Sequence, residues 1–559
     1  MKKIFQIIVF YLLLFTSVST QLHAQLTETI DVFTGFEPRL AEVEKFSSQP
    51  SIADTFRVET NVKYEIVSLT AKTNFNPDTI SAIKMKTEPI SKLHRFYLKA
   101  GFGNYLTPYI DFFANSLRTK KDFYSVRIRH LSSQGNISDR GNPSISDNEL
   151  NVNYSHVFNS STLDLKGTFN YNELRYYNYS PAIDSLVTGD STRQHFIRGI
   201  FNADFYSMHR NDSIKFNHKI KLDFYHLSDR WNASENSVTI TADINKYTNK
   251  FAREFFGSKL RFQYLNYKND AILESHGVIV NLSPYMRFGG KWWNLHIGVD
   301  LSLGVDDSTK FNVYPDVEMK FNIFRNYIVA YGTFTGKYRR NSFDVLVGQN
   351  PFILRSNPLS NMNERIQLKG GVKGSFTSSI SYNASASYSI IDNFAYFVND
   401  TTSFFQRGFQ MIGAQTNLLT ISGDLSYQWG EKLLINASAN YYLYSVSQIS
   451  NPWHRPAIDA TLSARYNLRD KIIVHANLFF IGPQKARDFV FDASSPLQKK
   501  EFVRDIPSLL DFNIGAEYRL TKMLSFWVNF NNIANFRYQR WYGYPTQQFN
   551  IIGGLTFGI

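Results

Sequence analysis

The sequence predicts an all-β protein, a transmembrane antiparallel β-barrel of about 22 strands preceded by a short irregular N-terminal segment. Three observations carry this. Segments in which apolar and polar side chains alternate residue by residue recur along most of the chain. The connections between them alternate between short turns and longer loops. Aromatic residues reach 16 %, with Tyr 33 and Phe 48, while the mean hydropathy is only −0.28. That balance suits strands with one face toward lipid and the other toward water. It does not suit helical spans, which need ~20 consecutive apolar residues.

The alternation is clearest near the C-terminus. Leu510, Phe512, Ile514, Ala516, Tyr518 and Leu520 share one face of a strand, and Asp511, Asn513, Gly515, Glu517 and Arg519 share the other, because successive side chains in a strand point to opposite sides. After Thr521-Lys522, Leu524, Phe526, Val528 and Phe530 alternate with Ser525, Trp527, Asn529 and Asn531. The last segment sets Phe549, Ile551, Leu555, Phe557 and Ile559 against Asn550 and Thr556. Upstream, Phe216, Ile220, Leu222 and Phe224 interleave with Asn217, Lys219, Lys221 and Asp223, and Leu163, Leu165, Phe169 and Tyr171 with Asp164, Lys166, Thr168 and Asn170. A sandwich core cannot take ionised residues repeated along one face, since burying unpaired charge is too costly. A water-filled lumen can, so the apolar face is assigned to lipid.

Short turns are predicted at Lys120-Lys121, Asn159-Ser160, Gly289-Gly290, Ser378-Ser379, Gly430-Glu431, Arg469-Asp470 and Thr521-Lys522. Longer polar loops are predicted near 134–147, 178–194, 340–362, 394–408 and 484–506. Bacterial barrels have short periplasmic turns and longer extracellular loops. Gly101-Phe102-Gly103-Asn104 reads as the tip of the first hairpin, where glycine permits a tight turn.

The expected domain division is an export signal over 1–24, an irregular periplasmic or lumenal segment over 25–92 and the barrel over 93–559. Lys2 and Lys3 precede an apolar core from Ile4 to Phe15, and Leu22-His23-Ala24 forms a cleavage site before Gln25. Residues 25–92 contain Pro38, Pro50, Pro77 and Pro89 and show no sustained strand pattern. A cleaved signal followed by amphipathic strands places the protein in the cell outer membrane. Its expected partners are outer-membrane lipid and lipopolysaccharide, with periplasmic or outer-membrane proteins docking through 25–92.

No enzyme is predicted. The sequence has no HExxH, P-loop or GxSxG motif, and no catalytic, cofactor or metal site residue is proposed. Cys 0 excludes disulfides and thiolate metal sites. His156, His218 and His475 fall singly within strands, as packing or lumen residues. The formal charge of +13 comes from Lys and Arg scattered over strands and turns, with no basic block, so nucleic acid is not an expected partner. Trp541, Tyr542 and Tyr544 are expected in an aromatic girdle at the membrane interface.

From Ser508 onward the sequence resembles the closing strands of a TonB-dependent receptor. The residues are Asn513-Ile514-Gly515-Ala516, Tyr518-Arg519-Leu520, Asn531-Asn532-Ile533-Ala534-Asn535-Phe536-Arg537-Tyr538 and Trp541-Tyr542-Gly543-Tyr544-Pro545. An asparagine-rich strand end and a Gly-Tyr-Pro loop are typical of that superfamily, especially of its Bacteroidetes members. The resemblance implies a 22-stranded barrel and transport of a solute. It also implies a lumenal plug of well over a hundred residues, for which 25–92 is too short. Thr27-Glu28-Thr29-Ile30-Asp31-Val32 faintly resembles a coupling box. Two function classes follow: a transport-related barrel, and a plug-less accessory barrel that anchors an outer-membrane complex.

These expectations lead to a first test. Deleting 26–88 should leave a heat-modifiable barrel in the outer membrane. Loss of the folded barrel on deletion would refute the division at residue 93.

Overall fold

The computed structural model describes residues 94–559 apart from 118, 182–190, 208–214, 249–252, 270–273, 307, 325–326, 356–359, 401–407 and 493–494. The export signal, segment 25–92 and Thr27–Val32 lie outside the described residues.

Twenty-two strands form one closed antiparallel sheet. The first nine are β1 (Phe96–Gly103), β2 (Thr107–Asn115), β3 (Asp122–Ser133), β4 (Ile145–Val157), β5 (Ser161–Arg175), β6 (Arg193–Ser207), β7 (Phe216–Asp229), β8 (Ser234–Thr248) and β9 (Arg253–Lys268). Then come β10 (Glu274–Gly289), β11 (Trp293–Val305), β12 (Thr309–Phe324), β13 (Ile328–Arg340), β14 (Asn361–Ser375), β15 (Ile380–Asn399), β16 (Phe409–Trp429), β17 (Leu433–Val446), β18 (Ile458–Leu468) and β19 (Ile472–Ile481). A separate hairpin of β20 (Gln484–Asp492) and β21 (Ser495–Ile506) follows. The barrel resumes with β22 (Leu509–Arg519) and β23 (Leu524–Asn531), passes through the small pair β24 (Gln539–Trp541) and β25 (Tyr544–Pro545), and ends with β26 (Asn550–Gly558). Barrel strands neighbour one another in chain order. The sheet closes where β26 pairs with β1, Gly558 opposite Tyr97 and Ile552 opposite Gly103, so no edge is left unpaired.

The predicted short turns all lie at one end of this cylinder and the longer connections at the other. Two of the predicted loops are corrected. Residues 394–399 continue β15, and 484–506 form the β20–β21 hairpin. The predicted loop 340–362 contains a short helix, α1 (Phe343–Gln349).

The face assignment holds. Tyr518 lies opposite Phe526 and Ala516 opposite Val528 on the outer face, and Glu517 opposite Trp527 and Gly515 opposite Asn529 on the inner. Phe526, Tyr518, Leu555 and Phe557 are exposed on the outside, whereas Trp527 is only 5 % exposed against the inner wall. Inner-wall charges pair between neighbouring strands, as in Arg127 with Asp111 (2.7 Å), Lys221 with Asp204 (3.0 Å) and His296 with Asp316 (2.9 Å).

Several inner-wall aromatic rings lie against the wall, each over a glycine one or two strands away. A Cβ on Gly101 would come within 2.4 Å of the Trp527 ring, one on Gly304 within 2.3 Å of Tyr338 and one on Gly371 within 2.6 Å of Tyr331. Gly101 and Gly103 therefore do not form a hairpin tip as predicted. They lie inside β1, and the tip is Asn104–Leu106, with Tyr105 (φ 58°) and Leu106 (φ 49°) in the left-handed region.

The outer apolar band has distinct borders. At the short-turn end Phe216, Trp292, Phe324, Phe376 and Trp429 are exposed. Lysine amines lie over three of these rings: Lys246 over Phe216 (5.0 Å), Lys291 over Trp292 (5.1 Å) and Lys432 over Trp429 (5.4 Å). This is the interface girdle. At the opposite end of β3–β10 a polar collar interrupts the apolar outer face. His130 Nδ1 donates to Asn148 Oδ1 (2.6 Å) and His226 Nδ1 to Asn236 Oδ1 (2.8 Å). Tyr171 stacks on His195 (5.5 Å), and Tyr264 bonds His276 (3.3 Å). Each collar strand carries exposed apolar residues below this level, such as Ile128, Leu150, Phe169, Phe224 and Phe262.

The register makes a sharp prediction. An Arg on the lipid face near mid-membrane costs ~2–4 kcal/mol. Phe526→Arg should therefore reduce the heat-modifiable fraction far more than Asn529→Arg. Equal tolerance would reject the faces, since a one-residue slip exchanges them.

Candidate functional site

The feature that departs from a simple cylinder is its loop-end mouth, where connections from separate sectors meet over the lumen. The β13–β14 connection supplies α1. Ser342 caps it, accepting from Val345 N–H (3.3 Å), and Asp344 stands in its first turn, where the helix dipole favours negative charge. Phe343 and Leu346 are buried, three residues apart on one side. The first free N–H groups, of Phe343 and Asp344, donate to the two carboxylate oxygens of Glu235 (2.7 and 3.0 Å). Glu235 projects from the inner face of β8, has no exposed surface and also accepts from Tyr225 OH (2.7 Å). Arg198 of β6 pairs with Asp344 (2.6 Å), whose carboxyl is nonetheless pushed up by burial.

Beyond the helix the chain lies along the start of β16. Phe409 N–H donates to Phe352 O (3.0 Å) and Leu354 N–H to Phe409 O (2.9 Å). Tyr267 OH and Asn269 Nδ2 both donate to Arg355 O.

The second contributor is the β23–β26 connection. It turns at Gly543 (φ 87°), where a side chain would strike Asn178. Tyr544 stacks on Phe352 with ring centroids 3.7 Å apart, and Trp541 packs against Phe397 (5.2 Å) and Phe409 (5.5 Å). One buried apolar cluster thus draws on β5, β6, β7 and β9 (Leu174, Phe196, Leu227, Leu265), on α1 and on the loop with Trp541 and Tyr544. Strands so far apart around the barrel share a cluster only if the loops bridge the mouth between them.

The third contributor is the β17–β18 connection. His454 is buried between Trp541 (5.3 Å) and Phe409 (5.2 Å). Its Nδ1 bonds Phe397 O (2.8 Å), and its Nε2 accepts from Tyr542 N–H (3.3 Å). That pattern requires the neutral ring with its proton on Nδ1, and burial holds its pKa down to about 4. Arg455 donates to Gln349 at the end of α1 (3.1 Å) and to Ala395 O, with its guanidinium over Phe394 (5.0 Å).

Trp541 and Tyr544 are therefore buried in the cap and Tyr542 is bonded to it; none of them belongs to the membrane girdle as expected. Their sequence was read as a Gly-Tyr-Pro loop with its aromatics in the girdle, and partners such as Phe352, Phe409 and His454 lie far away in the chain. His156 and His218 sit on the outer face near the short-turn end, beside Asp122 (2.7 Å) and Phe205 (5.2 Å). His475 faces inward opposite Arg465. The three are not brought together. Among the described residues no three His, Asp or Glu side chains group to hold a metal ion. Sequence reasoning missed α1 and Glu235. Ser342 followed by Phe343, Leu346 and Val347 is a cap with i, i+3, i+4 apolar spacing, and was the available signal.

No protein-family model matches the sequence, and no curated protein matches it either. The fold, however, is shared by known structures. The pyoverdine outer membrane receptor FpvA of Pseudomonas aeruginosa superposes with a TM-score of 0.62 at 12 % identity over 84 % of this chain and 79 % of that one. The FrpB iron transporter of Neisseria meningitidis gives 0.62 at 8 % identity over 84 % and 83 %. The ferric-catecholate import receptor Fiu of Escherichia coli K12 gives 0.58 at 8 % over 83 % and 82 %. The chain has the fold of an outer-membrane receptor barrel.

The cap makes a pH prediction. The ordinary His value of 6.5 applies to an opened cap and about 4 to the closed one. Closure is then at full strength above pH 6.5 and weakens as pH falls toward 4, by up to about 3 kcal/mol. Amide hydrogen exchange at Tyr542, corrected for intrinsic rate, should accelerate over that window, and His454→Gln should abolish the acceleration. Identical protection across the window in the wild-type chain would refute this role for His454.

Proposed function

We propose that the chain is a transport barrel of the TonB-dependent receptor kind, which admits a solute from outside the cell through a mouth that its own loops close. The observation that carries this is the one apolar cluster that joins α1, β5, β6, β7 and β9 to Trp541 and Tyr544 above a lumen lined by charge. A dry lid over a polar channel blocks diffusion and can be displaced without disturbing the wall. The barrel's likeness to import receptors for pyoverdine and ferric catecholates supports the same reading. The division into a cleaved export signal (1–24) and a segment 25–92 that starts in the periplasm belongs to this proposal. So does contact with outer-membrane lipid and lipopolysaccharide. The reading includes no enzymatic step.

Removing the two rings that bridge the mouth tests the lid. Trp541→Ala with Tyr544→Ala forfeits several kcal/mol of buried aromatic packing, ~3–5 for each ring. Cells carrying this double variant should become sensitive to large antibiotics. The same variant with Ile353→Cys and Phe409→Cys, bridge partners in this structure, should lose that sensitivity under oxidation and regain it with reductant. Unchanged permeability in the double variant, with a folded barrel, would remove the lid and the gated reading with it.

A further inference from the structure

The barrel wall is much lower at its closing seam than elsewhere. β1 and β23 have 8 residues and β2 and β26 have 9, against 20 and 21 in β15 and β16. A tilted strand needs ~9–11 residues to cross a bilayer. The seam strands are at or below that limit, so their loop-end rim lies no higher than the hydrocarbon border.

The outer face agrees. Over β3–β10 the apolar surface stops at the collar of histidines and asparagines. Over the seam there is no collar. The run Phe96, Leu98 and Phe102 of β1 continues into Leu106 at the hairpin tip, and that of β23 into Ile533 and Phe536. Leu106 is 61 % exposed, Phe536 49 % and Ile533 36 %.

The polar groups of this rim are turned to the backbone. Asn104 Nδ2 donates to Phe549 O (3.1 Å), and its Oδ1 accepts from Ile551 N–H (3.0 Å). Asn532 Oδ1 accepts from Phe536 N–H (3.1 Å) and its Nδ2 donates to Phe536 O (2.7 Å), closing a tight turn. Asn532 and Asn535 take left-handed conformations (φ 49° and 55°), which asparagine tolerates. Ile533 N–H donates to Phe512 O (2.9 Å), extending the β22–β23 ladder. The turn is thus fixed by its own asparagines, and the side chains it leaves exposed are apolar. The cation that follows in the chain, Arg537, is bonded to Ser138 O and lies 3.9 Å from Asp139.

We propose that the seam rim is a lipid-contacting surface: Leu106, Ile533 and Phe536 seat in the acyl region of the outer leaflet, which thins locally over β23, β26, β1 and β2. A stretch shorter than the hydrocarbon thickness is accommodated in this way, by thinning the bilayer. The proposal rests on the barrel fold and is independent of what the barrel transports.

The chain has Cys 0, so single-site labelling is clean. Leu106→Cys, Phe536→Cys and, as a solvent-facing control on α1, Val345→Cys are each labelled with the environment-sensitive dye NBD. The full chain is reconstituted in dioleoylphosphatidylcholine vesicles, and folding is checked by heat-modifiable migration. A doxyl-labelled phosphatidylcholine carrying its spin label near the carbonyl end of the acyl chain should quench the dyes at 106 and 536 several-fold more than the dye at 345. Their emission should also be blue-shifted. Shorter acyl chains should lower the quenching as the rim emerges. Quenching at 106 and 536 equal to that at 345 in folded protein would overturn the proposal, whatever the solute.

Discussion

Everything in this structure follows from one constraint: within hydrocarbon, no backbone N–H or C=O can be left without a partner. A sheet meets it only by closing, and the β1–β26 pairing closes this one. Closure imposes two faces on every strand, and the residue types follow. The outer face takes Phe, Leu, Ile and Val; the inner takes ionised groups that water or a neighbour must satisfy. Here neighbours do much of it, as in Asp111 with Arg127 and Asp204 with Lys221. The glycine seats belong to the same logic. A ring such as Tyr331 or Trp527 would project into the lumen if the wall beneath it offered a Cβ there. Gly371 and Gly101 let it lie against the wall instead.

The cap depends on that wall. Seven residues are too few for a helix to persist alone, so α1 exists because Glu235 receives its first two N–H groups and Phe343 and Leu346 enter the cluster. The dependence is mutual. With the helix withdrawn Glu235 loses both N–H donors and would keep Tyr225 alone among the partners described above. The cap therefore closes through polar groups that specify position and aromatic groups that exclude water, two contributions that fail together when the loop lifts.

The barrel was legible in the sequence and the mouth was not, for a physical reason. Alternation is a local signal: Phe512, Ile514 and Phe526 reveal their faces from their immediate neighbours. The turns at Asn159-Ser160 and Arg469-Asp470 are equally local. The mouth is built from contacts distant in sequence. Tyr544 meets Phe352, and Glu235 meets Phe343. Nothing near Tyr544 distinguishes a buried ring from one at a membrane interface, so the girdle assignment failed there. Gly101 was misread for the same reason: a turn glycine and a glycine beneath a distant indole look alike in one dimension. Where β15 runs on to Asn399, Phe394, Tyr396 and Val398 serve the cluster with Trp453 and Tyr442 and Ala395 and Phe397 the one with Trp541, not a solvated loop.

The two ends of the β23–β26 connection tie these levels together. Its first residues, Asn532 to Phe536, form a turn fixed by hydrogen bonds at the low seam, and a few residues on, Trp541 and Tyr544 complete the cap. Between them Tyr538 OH donates to Asp511 on the inner wall (2.7 Å). One connection thus touches the rim, the wall and the cap in turn. A chain so short and so often pinned has little slack. Lifting Trp541 and Tyr544 from the mouth must then either break the Tyr538 contact or strain the asparagine turn. The seam side of the cap is accordingly stiffly tethered. The β13–β14 connection (341–360) is of nearly the same length as the β23–β26 one (532–549) and is likewise held, at Glu235 and along β16.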